Sequence, residues 1–142
     1  MSRNDSIKQV CFRSGFKGVV AEAYTEKTSV YPPSPIRQPF YSIFSDGTVI
    51  AHPGYAWDFD SGPARDCRKS KRASLVHDVL CQAIKEGLLD PGWRDQADAE
   101  YYRLLREDKM FILRALLRFS AIQTGGKAFA RFGDPHKLQY AP

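Results

Sequence analysis

The chain is short of cysteine and has no long apolar run, no repeat and no low-complexity tract. Each shortage removes a class of protein. Three cysteines in 142 residues, Cys11, Cys67 and Cys81, cannot build a disulfide framework, and an odd number fits reduced thiols. No apolar stretch approaches the roughly 20 residues that span a bilayer. The opening Met1-Ser2-Arg3-Asn4-Asp5 lacks an apolar signal core. No internal period suggests a solenoid or propeller. The expectation is a protein kept in a cytoplasm, or packaged into a particle there, and not exported by a signal peptide.

What is present suits one α+β domain over residues 1–142. Hydrophobic residues at 43% and charged residues at 26% are enough to bury a core without an unusual surface. The net charge is +5. Part of that excess is local, in Arg65, Arg68, Lys69, Lys71 and Arg72. Such a cluster can attract the phosphates of nucleic acid or of lipid headgroups. It can equally be a solvated loop and helix start. No aromatic interleaving or nucleic-acid motif accompanies it.

Strands are expected in the first part, about 1–54. Residues 7–23 are β-prone, with Gly15 and Gly18 as breaks. Pro32, Pro33, Pro35 and Pro39 make 31–39 an extended loop. Residues 40–44 and 48–52 flank Asp46-Gly47, a hairpin signal. Residues 55–69 are rich in turn-formers and acids and read as a loop. Three helices should then fill 70–125. The first runs from Ser70 as N-cap to Glu86, with Gly87 as its stop. The second covers 95–107. The third starts at Asp108 as N-cap and is stopped by Gly125-Gly126, leaving a tail over 126–142 that wraps the surface or a neighbouring subunit.

Helical wheels place the polar residues. On the first helix, Ala73, Val76, Val79, Leu80, Ala83 and Ile84 form one apolar arc, with His77 on its edge. Ser74, Asp78 and Cys81 stand on the flank beyond His77, so one site could collect all four. On the second helix, Asp98 falls inside the apolar arc of Ala97, Tyr101, Tyr102, Leu104 and Leu105. A carboxylate there needs a partner. If the helices are antiparallel neighbours, His77 is the obvious one; a turn amide or a tyrosine hydroxyl would also serve. The third helix is apolar over most of its surface, which suits a core helix or an interface helix, with the core expected. Lys109, Arg114 and Arg118 mark its expected wet side.

Three motifs occur in order. They are Gly54-Tyr55-Ala56-Trp57-Asp58 leading to Ser61-Gly62-Pro63, then Ala73-Ser74-Leu75-Val76-His77-Asp78, then Ala97-Asp98 before Tyr101-Tyr102. In this order, over roughly residues 48–125, the chain resembles a family of domains encoded by tailed phages and prophages. That resemblance implies a phage gene near structural or lysis genes, with the protein in the host cytoplasm or the virion. It implies self-association or phage structural proteins as partners, and it carries no assigned activity.

The His-Asp helix with an Asp on the next helix also looks like the core of phospholipases A2. That resemblance implies His77 as general base, Asp98 as its orienter, and Asp78 as a calcium ligand completed by Asp60 and Gly62. A hard cation with oxygen ligands would polarise an ester carbonyl, and a His of fixed tautomer would take a proton from water. Two features depart from that family. Its tyrosine three residues after the metal-binding Asp is Cys81 here, and the loop has the single Gly62 where several glycines are usual.

Other sites are weaker. Zinc on His77, Cys81 and Cys67 lacks a paired-ligand spacing. A nucleophilic Cys81–His77 pair sits one helical turn apart, where attack geometry is rare. His52 and His136 read as a strand and a tail residue, and Trp57 as a packing anchor.

Overall fold

The computed structural model describes residues 12–13, 18–57 and 70–132, with side chains over 18–57 and 70–124. Seven short strands precede three α-helices among these residues, the α+β order expected. Strands β1 (Phe12–Arg13), β2 (Gly18–Val20) and β7 (Ala56–Trp57) form one antiparallel sheet in the order β1-β2-β7. Strands β3 (Tyr24–Lys27), β4 (Ile36–Arg37), β5 (Tyr41–Ile43) and β6 (Thr48–Ala51) form the other, ordered β3-β6-β5-β4 and antiparallel throughout.

The Asp46-Gly47 turn joins β5 to β6 in the register Tyr41↔Ala51, Ser42↔Ile50, Ile43↔Val49. Gly47 has φ +91°, the left-handed region that favours glycine. Asp46 Oδ1 accepts from the Thr48 amide at 3.0 Å and locks the turn. Two stretches expected to be loops contain strands. Ile36–Arg37 pairs on the sheet edge, where flanking prolines cost no ladder bond. Ala56–Trp57 pairs with Gly18 and Val19, which buries Trp57 completely.

Helix α1 (Lys71–Lys85) buries the predicted arc: Ala73, Val76, Val79, Leu80 and Ala83 are each at most 1% exposed. Ser70 occupies the N-cap position but makes no side-chain cap bond. Gly87, at φ +76°, ends the helix as expected: its amide bonds to Ile84 O and the Leu88 amide to Ala83 O. Asp90 then caps a 3-10 turn, Pro91–Trp93, through the Gly92 amide. Helix α2 (Arg94–Glu107) follows. Arg72 meets Asp108 and His77 meets Asp98, so the two helices run antiparallel.

Three expectations fail. Asp108 does not start the third helix. It is the C-cap of α2, Lys109 takes φ +65°, and the Met110 amide bonds back to Leu105 O, so α3 (Ile112–Phe132) begins later. Nor do Gly125-Gly126 stop α3; a helical glycine costs about 1 kcal/mol without forbidding the conformation. Finally, α3 is not a central core helix over its described side chains, 112–124. Ala115 and Arg118 are the buried residues there, while Ile112, Leu113, Leu116, Leu117 and Phe111 just before the helix are between 44% and 70% exposed. Arg118, placed on the wet side by its charge, is 4% exposed.

Arg72 also departs from its predicted place in a phosphate-binding cluster. It is buried, within 3.3 Å of Glu26 and 3.0 Å of both Glu107 and Asp108. It braces β3 against the helices. Arg65, Arg68 and Lys69 lie outside the described residues, and Lys71 is half-buried. No helix among the described residues is long and apolar enough to cross a membrane.

Candidate functional site

His77 and Asp98 meet between α1 and α2. The apolar arcs of the two helices face each other, and the polar side chain at the edge of one arc reaches the carboxylate inside the other. His77 Nε2 lies 2.6 Å from Asp98 Oδ1, and Asp98 is fully buried. With Asp98 ionised, Nε2–H donates to it. Arg94, one turn before Asp98, donates its Nε–H to the same oxygen at 3.0 Å. Its Nη2 reaches Ile122 O at 3.4 Å, which ties α2 to α3. Asp98 Oδ2 is buried with no hydrogen-bond partner among the described residues. Arg94 was not singled out in the sequence, although its i, i+4 spacing to Asp98 was a usable signal.

The other flank of the imidazole faces Cys81. The sulfur lies 3.6 Å from Nε2 and 3.8 Å from Nδ1. Near-equal distances put it over the ring rather than in line with either nitrogen. Tyr101 closes the site with its ring 5.3 Å away, tilted by 59°. Cys81 is 8% exposed.

The charges here are coupled. Burial works against the imidazolium, but Cys81 and the hydrogen bond donated to Asp98 outweigh it and raise His77 to about 9. Burial likewise pushes the Cys81 thiol up, yet the positive ring and Arg94 pull it below its ordinary value. Asp98 is disfavoured as an anion by burial and favoured more strongly by His77 and Arg94, so it stays below the usual carboxylate range. Asp98 and Cys81 thus both favour the charged imidazole, and the charged imidazole in turn favours the ionised form of each.

Asp78 acts on Cys81 only through its charge, and makes a hydrogen bond elsewhere. Its Oδ2 accepts from the Tyr55 hydroxyl at 2.8 Å. Burial and Asp78 itself push the Tyr55 phenol well above its ordinary value, so it remains a donor. The same hydroxyl is 2.8 Å from Gln82 Oε1, so its one hydrogen has two acceptors. Gln82 donates to Glu86, which also accepts from Tyr41 at 2.6 Å. Ser74 turns to the strands too, accepting from Trp57 Nε1 at 3.2 Å and donating to Lys71 O. The four residues expected to share one site therefore divide: His77 and Cys81 face α2, Ser74 and Asp78 face β7 and the residues before it.

The remaining candidates stand as follows. Asp58, Asp60, Gly62, Cys67 and His136 lie outside the described residues. His52, expected in a strand, lies one residue past β6 and is bonded to Ser42 Oγ at 2.9 Å. Among the described residues, no group of three or more His, Cys, Asp or Glu side chains converges as a metal site. No family model, no curated protein and no solved structure matches the chain.

Proposed function

We propose that this chain is a structural or interaction protein of a tailed-phage particle, and that it pairs with a second copy of itself through α3. The observation that carries the reading is the exposed apolar face of Phe111, Ile112, Leu113, Leu116 and Leu117. Five such side chains expose on the order of 500 Å², the upper end for a soluble monomer. Two copies face to face would remove on the order of 1,000 Å², the threshold for a specific interface. The face suits its own copy. Arg114 is its one charge between 111 and 117, and the small exposed Ser120 and Ala121 continue it one turn further. A two-fold pairing sets the same patch against itself. The phage assignment is supported by the order of the three motifs.

Sedimentation over a range of concentrations tests the pairing. Wild type should run as a dimer, and Leu113→Glu with Leu117→Glu as a folded monomer with unchanged circular dichroism. A wild type that stays monomeric at the highest concentration, or a dimer untouched by the double substitution, overturns it. Recovery of the chain in purified particles tests its setting.

A calcium-dependent hydrolase is the second reading, favoured by the 2.6 Å His77–Asp98 contact. Against it, the ring nitrogen that Asp98 leaves is overlain by Cys81, and Asp78 is engaged by Tyr55. Calcium titrated against melting temperature decides. On this reading wild type is stabilised by about 2.7 kcal/mol at 100 times the dissociation constant and Asp78→Asn is not; no shift in either ends it.

A further inference from the structure

We propose that Cys81 is a peroxide-reactive thiol, its sulfur activated by the His77–Asp98–Arg94 cluster. The inference does not depend on self-association.

Nucleophilic thiols need a positive group beside the sulfur. The Cys81 sulfur lies against the whole imidazole, 3.6 and 3.8 Å from its two nitrogens. Asp98, at 2.6 Å, holds that ring in place and favours its charged form, and Arg94 adds a second cation. In-line proton transfer is not required for this; a thiolate is stabilised by a cation over which it rests. A second observation points to a small polar ligand. Asp98 Oδ2 is fully buried and has no hydrogen-bond partner among the described residues, which makes it an acceptor for an O–H group inside the same cluster.

The charged and titratable groups facing the sulfur come from each packed element. Asp78 on α1 opposes the thiolate, and Arg94 on α2 favours it. Tyr55, just before β7, is neutral. Asp98 acts through His77, and Tyr101 lies against the ring. Cys81 is buried, 8% exposed as a whole residue, which shields it from large partners and limits the oxidant to a small molecule.

The step balances as follows. The thiolate attacks one peroxide oxygen, the S–O bond forms and the O–O bond breaks. The departing hydroxide takes a proton from the imidazolium and leaves as water. Sulfur is oxidised by two electrons to a sulfenic acid, and the peroxide is reduced.

The test uses the full chain. Iodoacetamide alkylation of Cys81 is followed by peptide mass spectrometry from acid to alkaline pH, in native buffer and in urea. Dimedone trapping after a brief hydrogen peroxide pulse is run beside it. Native Cys81 should titrate below its value in urea, and should gain the dimedone adduct. His77→Gln, with its fold checked by circular dichroism, should return the profile to the urea value. An unshifted native profile overturns the proposal without recourse to a variant. So does labelling that occurs only at the rate of global unfolding, or a peroxide pulse that leaves Cys81 reduced.

Discussion

At the scale of single residues, pH separates the members of the cluster. Asp98 sits below its ordinary value, so its stabilisation is present above about pH 4 and lost as pH falls through the lowered value. His77 is raised, so its stabilisation is complete below about 6.5 and is lost as pH climbs toward about 9. Cys81 is lowered, so its stabilisation is present above its ordinary value and lost as pH falls through the lowered one. Cys81 is the first of the contacts that raise His77, so His77 followed by NMR should titrate lower in Cys81→Ser than in wild type. An unchanged His77 titration would contradict the coupling. Removing the central anion is costlier. Asp98→Ala strands two cations and should lose about 3–5 kcal/mol in denaturant titrations.

At the scale of elements, two glycines with left-handed φ show how context sets the strength of a turn. At Gly47 a Cβ would stand 2.0 Å from the Thr28 carbonyl oxygen, a clash with backbone that cannot swing aside. At Gly87 a Cβ would meet nothing within 4 Å. Gly87→Ala should thus cost only the left-handed strain, roughly 1–2 kcal/mol. Gly47→Ala should cost clearly more, since the Gly47 carbonyl also accepts the Thr28 amide and hydroxyl at 2.8 Å each. Equal urea midpoints for the two variants would contradict this account of the hairpin. Helix α3 makes the complementary point. Gly125-Gly126 read as a stop, yet a glycine ends a helix only where the chain turns left-handed, as it does at Gly87.

At the scale of the molecule, the helices and sheets are joined by charge as well as by apolar contact. Arg72 bridges β3 to the end of α2, and Arg103 adds bonds to Glu100 at 2.6 Å and Lys27 O at 3.0 Å. The apolar face left over on α3 bears on how stability would depend on concentration. If folded copies pair, the melting temperature should rise with protein concentration in wild type and stay constant in the Leu113→Glu, Leu117→Glu variant.

The sequence alone determined the local matters. Periodicity placed the buried arcs of α1 and α2, Asp46-Gly47 set the hairpin, Gly87 set the end of α1, and an acid inside an apolar arc marked Asp98. These follow from interactions between near neighbours, which a linear pattern records. Only the tertiary structure decided which polar residues would meet. It drew Arg72 inward to three carboxylates, turned Asp78 toward Tyr55, set Cys81 over His77, and left one apolar face of α3 uncovered. Those outcomes depend on which residues, distant in the chain, supply the opposite charge or the covering surface. A helical wheel shows where a side chain stands and is silent about what stands across from it.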